Sequence, residues 1–196
     1  MIVFVSGGAR SGKSQLAEAL TLAKARERCF YVATARQNDA EMSARAARHR
    51  ARRDGRWVTL EAPLYPDEAV ASVPDGQAVL IDCLTLWASQ LLFGQAFEPA
   101  EAEREGVRCL KKLLGDARDR GLHLVIVSND LNEAPLPSDP GVWRFVTFLQ
   151  RLHRLLAQEA DSVIEVVAGC AVEWKVDLDL SPNSDTPSRN SEEPSP

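Results

Sequence analysis

A glycine-rich loop near the amino terminus carries residue types that bind phosphate groups. It reads Gly7-Gly8-Ala9-Arg10-Ser11-Gly12-Lys13-Ser14 and matches the pattern G-x-x-x-x-G-K-[ST] at every fixed position. Glycines let backbone N–H groups turn towards a phosphate, and a helix that follows such a loop directs its positive end to the same place. We therefore predict that Lys13 contacts the β- and γ-phosphates of a nucleoside triphosphate and that the Ser14 hydroxyl ligates Mg²⁺.

The segment 39–53 combines arginines with a histidine on a predicted helix. Six arginines fall between Arg45 and Arg56, which favours an anionic ligand or, as the alternative, a solvated helix face. At ~100° per residue, four alanines share one face, and His49 lies opposite them between Arg45 and Arg53. Neighbouring guanidinium groups disfavour imidazolium, so we expect a neutral His49 that can attack the α-phosphorus of a bound triphosphate. A surface histidine without a role is the alternative interpretation.

Further polar residues follow apolar runs that we predict to be core strands. Asp82 ends one such run, where a carboxylate faces the crevice that binds ligands in open α/β sheets and organises a metal. Its competing interpretation is an N-cap for the helix that begins at Leu84. The run Ser128-Asn129-Asp130 ends another strand, and there a catalytic role and a cap or turn both stay open. His123 and His153 lie in apolar segments and are interpreted as structural.

The elements that must position these residues alternate along the chain. Strands are predicted at 2–6, 29–34, 57–60, 78–82, 124–128 and 162–168, with an alternating edge strand at 172–178. Helices are predicted at 13–28, 39–53, 84–93, 99–120 and 140–160. Strands that are apolar throughout and alternate with helices indicate a mainly parallel sheet with helices on both faces. The predicted fold class is therefore α/β, of the P-loop NTPase type.

Composition limits the classes of function. The chain has 196 residues, of which 45% are hydrophobic and 26% charged, as in soluble globular proteins. No apolar run is long enough for a membrane span or a signal-peptide core, and four widely spaced cysteines favour free thiols in the cytoplasm. A net charge of −5 argues against a nucleic-acid partner. Residues 181–196 lack hydrophobic side chains, so we predict a folded domain at 1–180 and a disordered tail.

Taken together, these segments resemble the bifunctional adenosylcobinamide kinase/adenosylcobinamide-phosphate guanylyltransferase family of cobalamin biosynthesis. The resemblance keeps its order and spacing over nearly the whole predicted domain. Besides the loop 7–14, the matching motifs are Tyr31-Val32-Ala33-Thr34-Ala35, Asp39-x-Glu41-Met42-x-x-Arg45-x-x-x-His49-Arg50, Arg53, Trp57-x-Thr59-x-Glu61, Leu80-Ile81-Asp82-Cys83-Leu84-Thr85-Leu86-Trp87, Val125-Ile126-Val127-Ser128-Asn129, Ala160-Asp161-Ser162-Val163 and Val167-Ala168-Gly169.

The resemblance implies a two-step enzyme that acts on a corrinoid. It would phosphorylate the aminopropanol hydroxyl of adenosylcobinamide with ATP or GTP and then transfer GMP from GTP onto that phosphate. It also implies that His49 carries GMP as a covalent phosphoramidate and that the enzyme is a homotrimer. The loop and strand-end patterns predict that Ser14 and Asp82 hold Mg²⁺ with the nucleotide. The implied nucleotide contacts, besides the loop 7–14, are Ala33, Thr34, Ala35, Arg50, Ala51, Arg52, Arg53, Glu61 and Asp82.

The chain departs from the family pattern in its second half. After Asn129 it lacks the usual glycine-containing turn, and on the last predicted helix other residues replace an Arg-Asp pair, a glycine and an Asn-Gln pair. The replacing residues are Val146-Thr147, Gln150 and His153-Arg154. Two other function classes therefore stay open. One is a P-loop kinase of another small alcohol that leaves His49 unused, and the other is a nucleotide-binding regulator without transfer chemistry.

Overall fold

The computed structural model describes residues 1–35, 55–131 and 139–175. Within them, strands form one seven-stranded sheet in the order β3-β2-β4-β5-β1-β6-β7. Neighbouring strands run parallel except β7, which pairs antiparallel with β6 at one edge. The strands are β1 Ile2–Gly7, β2 Cys29–Ala33, β3 Trp57–Glu61, β4 Ala78–Asp82, β5 His123–Val127, β6 Ser162–Val167 and β7 Cys170–Lys175.

Helices of the described residues cover this sheet. They are α1 Lys13–Lys24, α2 Pro66–Ala71, α3 Leu84–Phe93, α4 Pro99–Asp119 and α5 Pro140–Glu159. The first residue of α2, α4 and α5 is proline, whose missing N–H costs no intrahelical bond at that position. The short α2 is not predicted from the sequence because six residues contain too few turns for a periodic pattern. Its available signal is Pro66 followed by Asp67 and Glu68 in the first turn.

The two faces of the sheet pack against different helices. On one face, α1 contacts β1, β4 and β5, and its Ala17 packs in a cluster with Val5 and Leu80. On the other face, α3, α4 and α5 pack over a larger cluster that includes Phe4 and Ile126 from the strands. The buried residues of α5 follow the helical period and are Phe148, Leu149, Leu152 and Leu156. The predicted α/β class, with helices on both faces of a mainly parallel sheet, is confirmed.

Some boundaries differ from the prediction. The helix α1 ends at Lys24, before the predicted end at 28, because Ala25 is already extended and β2 begins soon after at Cys29. The predicted edge strand is confirmed as β7 over the part that the structure describes. The predicted helix 39–53 and the predicted tail 181–196 lie outside the described residues.

The four cysteines are free thiols, as the sequence predicts. Cys29, Cys83 and Cys109 are buried free thiols, and Cys170 is an exposed free thiol. None of the helices in the described ranges combines the length and the apolar character that a membrane crossing requires.

Candidate functional site

The register of the sheet collects the predicted site residues at the carboxyl ends of its strands. Ala33 pairs with Glu61 on one side and with Asp82 on the other. Because paired residues point to the same face of a sheet, the Glu61 and Asp82 side chains share one face. That face is the one covered by α1, since Tyr31, two residues before Ala33, belongs to the α1-side cluster. The phosphate loop leaves β1 at the same carboxyl end of the sheet.

The phosphate loop is packed closely against the strand beside it. A Cβ on Gly7 would lie 2.5 Å from the Val166 carbonyl oxygen and 2.8 Å from Ser11 Oγ. The Gly169 N–H donates a hydrogen bond to the Ser11 carbonyl oxygen at 3.0 Å. Gly12, with φ 97°, is a left-handed N-cap for α1. These contacts fix the loop between β6 and the helix.

Lys13 lies inside this loop. Its side chain is only 8% exposed, and Nζ donates a hydrogen bond to the Gly8 carbonyl oxygen at 2.9 Å. No acidic residue occupies the first turn of α1, so the positive end of the helix dipole is left for a ligand. Ser14 follows in that turn and is half-buried. The loop therefore presents an ammonium group, a helix N-terminus and a hydroxyl within one short segment.

Asp82 is held by a tyrosine on the neighbouring strand. The Tyr31 hydroxyl donates a hydrogen bond to Asp82 Oδ2 at 2.9 Å. The N-cap of α3 is Cys83, without a side-chain capping bond, so the interpretation of Asp82 as the helix cap is wrong. Burial, and then the Asp82 carboxylate, raise the pKa of the Cys83 thiol to about 12, while Lys13 acts in the opposite direction. The Cys83 thiol therefore stays protonated at neutral pH.

A neutral polar network occupies the opposite face of the same sheet edge. Ser128 Oγ lies 2.9 Å from Thr85 Oγ1 and 2.6 Å from His153 Nε2. The Asn129 N–H donates to Thr85 Oγ1 at 2.8 Å, and the Asp130 N–H donates to the Gly7 carbonyl oxygen at 3.0 Å. Burial lowers the pKa of His153 to about 4, although Asp130 opposes the shift. The ring is thus neutral at physiological pH, in agreement with its structural interpretation.

The interpretation of Ser128-Asn129-Asp130 as a helix cap fails for α5, the next helix that the structure describes. The helix α5 that follows is capped by Asp139, whose side chain accepts from the Val142 N–H, so Ser128-Asn129-Asp130 is not its cap. Ser128 is fully buried and ties β5 to α3 and α5 through Thr85 and His153. The network itself was not predicted from the sequence. Its available signal was a serine, rather than an aliphatic residue, at the carboxyl end of an apolar strand.

The remaining predicted nucleotide contacts have different surroundings. Thr34 is fully buried, its Oγ1 donates to the Cys83 carbonyl oxygen at 2.9 Å, and Gln90 Nε2 donates to the Thr34 carbonyl. Glu61 is exposed at the end of β3. His49, together with Arg50, Ala51, Arg52 and Arg53, lies outside the described residues. The structure therefore places Glu61, Ala33 and Asp82 at the ends of neighbouring strands, at the carboxyl end of the sheet from which the loop also leaves. Their predicted roles as nucleotide contacts stay open to experiment.

Magnesium is compatible with the donors at this edge. Ser14 supplies a hydroxyl and Asp82 a carboxylate, and Mg²⁺ prefers such oxygen ligands together with substrate phosphates. Among the residues that the structure describes, no group of three or more His, Cys, Asp or Glu side chains is arranged to hold a metal. The donor chemistry thus fits an ion that arrives with the nucleotide.

The chain was compared with solved structures. The structure of a KaiC-like protein from Pyrococcus horikoshii OT3 aligns with 84% of this chain and over 69% of its own length, with a TM-score of 0.44 and 15% identity. A second protein from that organism gives a TM-score of 0.49 and 12% identity, with coverage of 89% and 86%. Likenesses this distant bear on neither the fold assignment nor the function.

Similarity in sequence is much closer. The chain is 38% identical over 173 residues to the bifunctional adenosylcobalamin biosynthesis protein CobP of Pseudomonas aeruginosa, covering 87% of this chain and 95% of that protein. It is 31% identical over 183 residues to the bifunctional adenosylcobalamin biosynthesis protein CobU of Escherichia coli, with coverage of 89% and 100%. A family model described as cobinamide kinase / cobinamide phosphate guanyltransferase matches residues 3–174. The chain belongs to the cobinamide kinase / cobinamide phosphate guanyltransferase family.

Proposed function

We propose that this protein is a bifunctional transferase of adenosylcobalamin biosynthesis. It phosphorylates adenosylcobinamide with ATP or GTP and then transfers GMP from GTP to that phosphate, giving adenosylcobinamide-GDP and pyrophosphate. Family membership supports the pair of activities. The observation that carries the proposal is the placement of the phosphate loop and of Asp82 at the carboxyl end of one sheet, with Lys13 held inside the loop. The proposed partners are a corrinoid and, as the family resemblance implies, two further copies of the chain.

In the first step, the loop holds the triphosphate and the γ-phosphoryl group passes to the aminopropanol hydroxyl. The Nζ of Lys13 now donates to a loop carbonyl, and the β- and γ-phosphate oxygens would replace that carbonyl as its acceptors. The first backbone N–H groups of α1 bind the same phosphates. Mg²⁺, when bound with the nucleotide near Ser14 and Asp82, offsets the negative charge of the β- and γ-phosphates. This step needs positioning and charge more than a strong base.

In the second step, His49 acts as the nucleophile. Its neutral imidazole attacks the α-phosphorus of GTP, so that a P–N bond forms while the P–O bond to the departing pyrophosphate breaks. A phosphate oxygen of adenosylcobinamide phosphate then attacks the same phosphorus, and the P–N bond breaks to restore the imidazole. The support for His49 is its place in the sequence motif, between Arg45 and Arg53, since these arginines can hold the triphosphate beside it.

Labelled nucleotides test the two activities separately. With γ-labelled ATP and adenosylcobinamide, we expect label in the corrinoid phosphate, and with α-labelled GTP and adenosylcobinamide phosphate, we expect label in adenosylcobinamide-GDP. Label in the first product alone would identify a monofunctional kinase. Nucleotide binding without either product would identify a regulator, and the bifunctional proposal would be wrong.

The covalent intermediate has its own test. α-Labelled GTP without an acceptor should label the protein through a bond that is stable in alkali and labile in acid, as expected for a phosphoramidate. Adenosylcobinamide phosphate should then remove the label. His49→Asn should take up no label yet still bind GTP, because the loop 7–14 is unchanged. Equal labelling of the variant would mean that another residue is the nucleophile.

A further inference from the structure

Tyr31 contacts the candidate site at a position to which no role has been assigned. Its side chain is only 9% exposed, and its hydroxyl donates a hydrogen bond to Asp82 Oδ2 at 2.9 Å. A buried phenol normally finds a partner, and a partner that is a carboxylate forms a charge-assisted bond. The bond therefore fixes one of the two carboxylate oxygens of Asp82.

The Tyr31 ring is itself held in place. It lies in β2, and its strand neighbours are Leu80 in β4 and Thr59 in β3. Trp57 packs against it edge to face, with ring centroids 6.3 Å apart and an interplanar angle of 79°. Aromatic pairs with this geometry are favourable. The hydroxyl is thus presented to Asp82 from a packed strand rather than from a loop.

We propose that Tyr31 is a positioning residue, which holds the Asp82 carboxylate in the orientation that receives the magnesium–nucleotide complex. This inference rests on the role proposed above for Asp82. An aspartate at a strand end can turn about two side-chain bonds, and a hydrogen bond to one oxygen restricts that rotation. The other oxygen then faces the ligand in a fixed direction, so less ordering accompanies binding.

The test compares nucleotide affinity with and without the metal. A fluorescent GTP analogue is titrated into the protein, once with Mg²⁺ in excess and once with EDTA, and the ratio of the two dissociation constants is the gain due to the metal. Tyr31→Phe removes only the hydroxyl. We expect this variant to retain its affinity in EDTA, because the loop 7–14 is unchanged. We expect its metal-dependent gain to be about tenfold smaller than that of the wild type.

Two controls separate positioning from folding. Tyr65→Phe removes a hydroxyl from an exposed tyrosine outside the site and should behave as the wild type. Asp82→Asn should reduce the gain by itself, and adding Tyr31→Phe to it should cause little further loss, because both changes act through one carboxylate.

Each outcome has a distinct meaning. If the wild type shows no gain from Mg²⁺, the metal–nucleotide role proposed for this edge is wrong. If the wild type shows the gain and Tyr31→Phe retains it in full, only the role of Tyr31 is wrong. Equal loss in EDTA and in Mg²⁺, or losses that add in the double variant, would assign Tyr31 a structural role and overturn the inference.

Discussion

The carboxyl end of the sheet has charged groups on one face and a neutral network on the other. On the α1 face, Lys13 and Asp82 each form a hydrogen bond within the chain that a ligand can replace or extend. On the α5 face, Ser128 forms hydrogen bonds with both Thr85 and His153. Asp82 on the first face is half-buried, whereas Ser128 on the second face is fully buried.

The difference between Asp82 and Ser128 separates a residue that can reach a ligand from one that supports the fold. Ser128 is a nucleophilic residue type beside a histidine, yet it is fully buried and cannot meet a substrate without a rearrangement. Asp82 is half-buried at the end of β4 and can. We therefore expect substitutions on the α1 face to change catalysis, and substitutions on the α5 face to change stability.

The largest effect is expected from Lys13→Ala. Loss of the ammonium removes charge stabilisation from the transferring phosphoryl group, so turnover should fall by ~10²-fold or more. The matched control is Lys24→Ala, at the exposed C-terminal end of the same helix, which should keep wild-type turnover. Kinase rates with adenosylcobinamide measure both, and unchanged turnover in Lys13→Ala would contradict the phosphate-loop assignment.

The next largest effect is expected on stability, when a substitution disturbs the packing of the phosphate loop. Thermal unfolding measures this effect. A Cβ on Gly7 would collide with the Val166 carbonyl, whereas a Cβ on Gly8 would meet nothing within 4 Å. We expect Gly7→Ala to lower the free energy of unfolding by about 1–3 kcal/mol. Gly8→Ala should leave it nearly unchanged. Equal melting temperatures for the two variants would mean that the loop is not packed against β6 as described.

A smaller effect is expected from pH on the α5 face. The pKa of His153 is lowered to about 4, so between pH ~6.5 and ~4 the unfolded chain binds a proton that the folded protein does not. Stability should therefore fall as the pH drops from 7.5 to 5, and this histidine contributes at most ~2 kcal/mol of that fall. Burial likewise lowers the pKa of His123, so His123 adds to this fall in stability.

His153→Gln isolates that contribution. The variant keeps a hydrogen-bonding side chain but cannot titrate, so its unfolding free energy should depend less on pH over this range than that of the wild type. Denaturant unfolding at pH 7.5 and pH 5 measures the difference. The same pH dependence in both proteins would show that His153 titrates normally in the fold.

Those parts of the site whose structure depends on local patterns could be predicted from the sequence. The loop 7–14 and the strand that ends at Asp82 were predicted because glycine spacing and apolar runs depend on neighbours along the chain. The Tyr31–Asp82 bond and the Thr85–Ser128–His153 network join residues that are far apart in sequence. Such contacts depend on strand order and register, which periodicity does not determine.

The wrong cap interpretation of Asp82 and the failure to predict the helix α2 have the same physical origin. The Asp82 cap was a reasonable local interpretation, but Cys83 is the N-cap residue of the helix, and the carboxylate instead accepts a hydrogen bond from a tyrosine on β2. The helix α2 was missed because its six residues depend on packing for their stability rather than on their own pattern.

One paired measurement tests the separation of the two faces most directly. Phosphoryl transfer at 25 °C and the melting temperature are determined for Asp82→Asn and Ser128→Ala. For Asp82→Asn we predict a rate that is lower by ~10²-fold with a nearly unchanged melting temperature, because the amide keeps an acceptor for Tyr31. For Ser128→Ala we predict a near wild-type rate and a loss of about 1–3 kcal/mol in stability, since His153 and Thr85 lose their shared partner. The opposite pattern, with a slow but stable Ser128→Ala and an active Asp82→Asn, would contradict the account.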